Sequence, residues 1–166
     1  WNSLSEKGRG AFASLGLQKA NYLPVKTYKE LPTDSLSLLT SALSKMQAGE
    51  GAIVQFLLQP VNNRWQSSGR SYVADQKKKE ADPDKATYTH DPKEMEAIGN
   101  KVGKPGFRVS IRMVVSAPED YQAESHLNNI LGAFAQFTST YNNFKKNFIF
   151  VKQIIMIDFW YRYMTF

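Results

Sequence analysis

Nucleotide hydrolysis needs a glycine loop whose backbone amides cradle phosphate and a lysine that reaches it, in the order G-x-x-x-x-G-K-[ST]. The nearest string in this chain, Gly99-Asn-Lys-Val-Gly103-Lys104-Pro105, has the wrong glycine spacing and proline in place of the hydroxyl residue. It reads as a helix C-terminus followed by a turn. His90 and His126 are the two imidazoles, neither stands in a metal-ligand spacing, and there is no cysteine. Disulfides, thiolate metal sites and a cysteine nucleophile are therefore excluded, and both histidines read as structural or solvent-exposed. Serines and aspartates are plentiful, but no G-x-S-x-G elbow accompanies them. The acid pair Glu94 and Glu96 fits the polar face of a helix better than acid–base chemistry. The expectation is a protein that is not an enzyme, with no catalytic residue, no cofactor and no metal.

The residues left to do chemistry are those that make contacts. Arg108 and Arg112 alternate with Phe107, Val109 and Ile111, so they project together from the opposite side of a strand. They are candidates for an acidic partner or phosphate, set against the plainer reading of a solvated sheet face. Trp65 is read as a helix-start anchor or part of a docking surface. Trp160, within Phe159, Trp160, Tyr161, Tyr163 and Phe166, is a candidate partner contact, because aromatics dominate interface energetics. The net charge of +6 and pI near 9.4 permit attraction to nucleic acid or an acidic membrane surface. Lys77, Lys78 and Lys79 form the basic run, but Glu80, Asp82 and Asp84 follow at once, as on a solvated helix end. Lys104-Pro-Gly106-Phe107-Arg108-Val109 is similar to part of an RNA-recognition string, yet Phe107 shares its face with Val109 and Ile111 and reads as core. Without a stacking platform, any nucleic-acid binding is expected to be weak and sequence-independent.

The elements that must position these residues follow from periodicity. Gly10–Gln18 alternates as a strand, with Ala11, Ala13, Leu15 and Leu17 on one side. Thr33 or Asp34 is placed to cap a helix over Asp34–Gln47 that carries Leu36, Leu39, Leu43 and Met46 and stops at Gly49 and Gly51. Ala52–Gln59 predicts a strand with Val54, Phe56 and Leu58 on one face, ended by Pro60. A helix around Arg64–Lys79, a polar loop around Asp82–Asp91 and a helix over Pro92–Val102 come next, and then the clearest strand, Phe107–Ser116. Ser116-Ala-Pro-Glu119 has the form of a capping box with proline just inside a helix that extends to Phe137. A further strand is expected within Lys145–Ile157, and Asp158–Phe166 reads as strand or edge. The expected core is Leu39, Leu43, Val54, Phe56, Val109, Ile111, Leu127, Ile130 and Phe134.

This order predicts one α+β domain over residues 1–166, with a helical and loop insertion at about 61–104. The architecture is a ferredoxin-like split βαβ sandwich, a mainly antiparallel sheet with helices on one face. The first ten residues are polar and lack the apolar region of a signal peptide, and no stretch is apolar enough to span a bilayer, which points to the cytoplasm. A first residue of Trp1 suggests a piece of a longer protein.

Several strings occur together in one order: Pro24-Val-Lys-Thr-Tyr28, Ala42-Leu-Ser-Lys45 with Gly49-Glu-Gly-Ala52, Gln55 to Pro60 with Trp65, Lys104 to Pro118, and Phe134-Ala-Gln-Phe137 with Asn143-Phe144. Between Tyr22 and Arg162 the chain resembles the uncharacterised domain that precedes the ATPase in type IV secretion DNA-binding, HerA-like proteins of candidate-phyla bacteria. The resemblance implies a non-catalytic accessory or assembly role beside a membrane-proximal type IV secretion or conjugative translocation motor. Its implied partners are a downstream P-loop ATPase domain and other secretion-complex components. The implied location is the cytoplasm at the inner face of the cell membrane, with membrane contact only through segments outside this chain. A homo-oligomer is compatible with this reading. The motor's catalytic residues have no counterpart here, and the alternative is a sequence-independent nucleic-acid-binding module.

Overall fold

The alternation that begins at Phe107 forms β3, Phe107–Ala117, the strand around which the rest is arranged. The computed structural model describes residues 8–32, 34, 36–82, 90–147, 159, 161 and 162. Along these the elements run β1 (Arg9–Leu17), α1 (Ser37–Leu43), β2 (Gly51–Pro60), α2 (Arg64–Glu80), α3 (Pro92–Val102), β3, α4 (Asp120–Ala133) and β4 (Phe144–Lys146). Short 3-10 turns occupy Tyr28–Glu30 and Phe134–Phe137. The sheet order is β2-β3-β1-β4, and every neighbouring pair is antiparallel. Two βαβ units thus interleave, β3 lying between β1 and β2, and β1 between β3 and β4. This is the ferredoxin-like α+β arrangement, with α2 and α3 inserted between β2 and β3.

The main core lies between the sheet and the pair α1 and α4. β1 contributes Ala11, Ala13 and Leu15, and β3 contributes Ile111, Met113, Val115 and Ala117. Because the β1 residues are small, α4 can sit close to the sheet. It does so through Ala123, Leu127, Ile130 and Ala133, a stripe at helical spacing. Fully burying Leu127 and Ile130 stabilises the fold by roughly 1.5–3 kcal/mol each. The insertion has a core of its own, in which Met95, Ile98 and Val102 of α3 pack with Trp65, Tyr72 and Val73 of α2 and with Tyr22 and Leu23 after β1. Gly69 permits this crossing, since a Cβ there would stand 2.6 Å from the Val102 Cγ1 and 2.9 Å from the Tyr22 Cβ.

A buried asparagine ties the loop after β1 to the approach to β4. Asn142 Oδ1 accepts from the Lys19 amide (2.9 Å) and the Asn143 amide (3.0 Å), while Nδ2 donates to the carbonyls of Ala20 and Leu23 (3.1 Å each). Beside it, Ser139 Oγ donates to the Pro24 carbonyl at 2.7 Å and accepts from the amides of Tyr141 and Asn142. The loop carrying Tyr22 and Leu23 into the second core is thereby fixed through side chains, not through a ladder.

Four expectations need correction. The first helix spans seven residues instead of Asp34–Gln47. Its hydroxyls bond the backbone, Thr40 Oγ1 to the Leu36 carbonyl and Ser44 Oγ to the Ser41 carbonyl, competing with the helix as such residues do. Asp34 bonds the Leu36 amide in a turn ahead of this helix, while Thr33 lies outside the described residues. Ser116 is not a cap: it pairs with Gly10 and Gly51 inside the sheet, and the box is formed by Glu119 and Gln122, with Pro118 outside the helix. Phe56, Phe107 and Val109, all expected in the core, are exposed, because α1 is too short to reach over them. Finally, Phe159 and Tyr161 are helical where strand or edge was expected, because the Arg162 amide turns back to the Phe159 carbonyl and satisfies the backbone locally. The remainder of that segment, Trp160 included, and most of Lys145–Ile157 lie outside the described residues.

Candidate docking surface

β2 and β3 pair along their whole length, from Gly51 opposite Ser116 to Pro60 opposite Phe107. At about 3.4 Å per residue a ten-residue strand extends roughly 34 Å, whereas seven helical residues at 1.5 Å cover only about 10 Å. Ala52 and Val54 pack against the core cluster that includes Ala42 of α1, while the far half of the strand pair is uncovered. On that half Phe56 is 46% exposed, Leu58 63%, Phe107 57% and Val109 46%. The register sets Phe56 opposite Ile111, Leu58 opposite Val109 and Pro60 opposite Phe107, so all share the face that carries α1 and α4. Phe56 also meets Phe134 with ring centroids 6.2 Å apart, and Phe134 meets Phe137 and Phe144, so the exposed apolar face grades into the aromatic edge of the core.

The far end of the pair is closed by the insertion. The Val61 amide donates to the Gly106 carbonyl at 3.3 Å, and the Trp65 indole lies against Gly106 so closely that a Cβ there would stand 2.6 Å from the ring. Trp65 is thus the helix-start anchor of the second core. Its Nε1 is buried without a hydrogen-bond partner. Burial of Lys101 on α3, whose Nζ donates to the Leu23 carbonyl at 3.1 Å, holds its ammonium below the usual lysine range. In the Tyr28–Glu30 turn, the backbone and hydroxyl of Thr27 donate to the Glu30 carboxylate and lower its pKa.

Arg108 and Arg112 do lie on the reverse side of β3, but they differ in access. Arg108 is exposed and paired across the ladder with Gln59, whereas Arg112 is 2% exposed and paired with Gln55. Val114 and Ser116 on the same side are buried too, so this half of the reverse face is not a solvated sheet. Gln55 donates from Nε2 to the Phe159 carbonyl at 3.4 Å, while its Oε1 is buried without a partner. The histidines occupy structural positions: His126 Nε2 on α4 meets Glu50 Oε2 at 2.9 Å, and His90 Nδ1 faces Glu80, joining the end of α2 to the approach to α3. Lys77, Lys78 and Lys79 are exposed in the last turn of α2, where the helix dipole favours them. Among the described residues no three His, Asp or Glu side chains converge to hold a metal, and no helix is long and apolar enough to cross a membrane.

Sequence periodicity found the strands of this surface but placed its residues in the core, because alternation reports the face and not the length of the helix above it. The signal for exposure was the run of Ser and Thr in Ser37–Ser44, which shortens α1.

Fold and surface define a ferredoxin-like α+β domain with a helical-hairpin insertion and an uncovered apolar sheet face. The chain belongs to the family described as a domain of unknown function (DUF8128), whose model matches residues 5–152. No curated protein and no solved structure gives a significant match.

Proposed function

We propose that this chain is a non-catalytic docking domain that positions a P-loop translocation motor of the type IV secretion or conjugation kind at the inner, cytoplasmic face of a cell membrane. The observation that carries the docking part is the apolar face of Phe56, Leu58, Phe107 and Val109, side chains held rigidly on paired strands and left to water. Side chains held rigidly in this way lose little entropy on binding, and burying them against a partner is favourable. The motor as partner rests on the order of strings from Pro24 to Phe144 that resembles the domain preceding such ATPases.

Titration calorimetry between this protein and the P-loop motor domain it is proposed to accompany tests the reading. Leu58→Lys or Phe107→Lys is expected to weaken binding about 10- to 100-fold, since burying such a side chain contributes roughly 1.5–3 kcal/mol. The affinity should change little between 50 and 300 mM salt. Absence of binding, or binding indifferent to both variants, refutes the reading.

The exposure of Arg108 on a chain of net charge +6 supports a second reading, sequence-independent nucleic-acid binding. In that case Arg108→Ala lowers the slope of log affinity against log salt by about 1. Arg112, buried as it is, has no part in that contact.

A further inference from the structure

The two edges of the sheet are built differently. The described part of β4 is three residues long and carries Lys145 and Lys146, both exposed, which is how open edges are ordinarily kept from pairing with other chains. β2 is ten residues long and carries no charge, and among the described residues no strand pairs with its outer side. The side chains of Ile53, Phe56 and Leu58 are exposed.

The sequence of that edge is nearly symmetric about Leu57. Phe56 and Leu58 flank it, then Gln55 and Gln59, then Val54 and Pro60, then Ile53 and Val61. Two copies paired antiparallel about a two-fold axis through Leu57 would therefore match like with like. Phe56 would lie beside Leu58 of the second copy, and Gln55 beside Gln59 of the second copy.

We infer that β2 is a self-association edge, and that two copies of this chain join through it into one continuous antiparallel sheet. This deepens the docking reading and rests on it, because pairing would set the two apolar faces side by side and double the surface offered to the motor. A charge-free strand suits a second copy of a protein of net charge +6, since pairing brings no like charges into register. An acidic partner would find no basic group on it. An overlap from Val54 to Pro60 runs only about 24 Å, which is small beside a standard interface, so the association should be micromolar.

The absence of native cysteine makes the test direct. Residues directly opposite in an antiparallel pair have Cα atoms about 4.5–5.5 Å apart, within reach of a disulfide. Leu57→Cys should form a disulfide-linked dimer under mild oxidation, whereas Ile53→Cys, about 27 Å from its symmetry mate, should not. Sedimentation should show the unmodified protein dimerising, and Leu57→Lys, which places two ammonium groups face to face on the side away from Phe56 and Leu58, should weaken that at least tenfold. An unmodified protein that stays monomeric at 200 µM, as an order of magnitude well above the expected constant, overturns the inference, as does equal cross-linking of both cysteine variants. Pairing with an added extended peptide in place of a second copy overturns it also. If Leu57→Lys is monomeric and still binds the motor domain, self-association and docking are separate properties of the surface. If self-association fails while motor binding persists, only the inference falls.

Discussion

Replacing Asn142 with alanine removes four hydrogen bonds at a site that is almost entirely buried. Two amides, of Lys19 and Asn143, lose their acceptor, while the carbonyls of Ala20 and Leu23 each lose one of two donors and keep the Leu23 amide and the Lys101 ammonium respectively. At a net 0.5–1.5 kcal/mol per bond the loss would be roughly 2–6 kcal/mol, and water entering the space left by the side chain recovers part of it. The expected destabilisation is about 3 kcal/mol, out of a total that for a domain is about 5–15 kcal/mol. Urea unfolding reads this as a lower midpoint with an unchanged slope. Amide exchange at Lys19 and Asn143 should accelerate together. Asn142→Asp separates acceptor from donor roles, since it retains oxygens for the two amides but turns a carboxylate towards the two carbonyls. It should cost at least as much as alanine. A loss under about 0.5 kcal/mol for alanine, or recovery of stability by aspartate, would show that the Nδ2 donors do not hold the loop.

The contact of Trp65 with Gly106 predicts that Gly106→Ala displaces the indole, with a change in its fluorescence and a cost of about 1–3 kcal/mol; an unchanged emission maximum would contradict the packing described. Lys101 supplies a pH test. Burial holds its folded pKa below that of lysine in the unfolded chain, so in the window between the two the unfolded chain binds more protons and stability rises with pH. Urea midpoints of the native protein relative to Lys101→Met should therefore climb as pH is raised from 7 towards 10. A difference that stays constant would mean that the ammonium is not desolvated.

β1, β2 and β3 were legible because each is read from its own alternation, and α3 because Asp91 and Pro92 mark its start while Val102 and Gly103 mark its end. What could not be read were properties set by two elements at once. Phe56 and Val109 have the pattern of core residues and would be core beneath a longer α1. Ser116 has the form of a cap, but the demand of two neighbouring strands for its backbone decides its conformation. Arg112 has the pattern of a solvated position, yet its half of the reverse face is covered. Asn142 carried no local signal, because its partners at Lys19, Ala20 and Leu23 are more than a hundred positions away.

The pairing of β1 also sets a timetable for synthesis. Both of its neighbours, β3 and β4, are encoded far downstream, Arg9 meeting Ala117 and Leu17 meeting Phe144. At a translation rate of about 5–20 residues per second, β1 waits on the order of 5–20 s after its own synthesis before β3 is complete. An unpaired strand rich in large β-branched or aromatic side chains would invite aggregation over such an interval. β1 instead separates Phe12, Leu15 and Leu17 with Gly10, Ala11, Ala13, Ser14 and Gly16, so the same small residues that let α4 approach in the finished fold also leave the nascent chain no continuous apolar strip for a stray partner to hold.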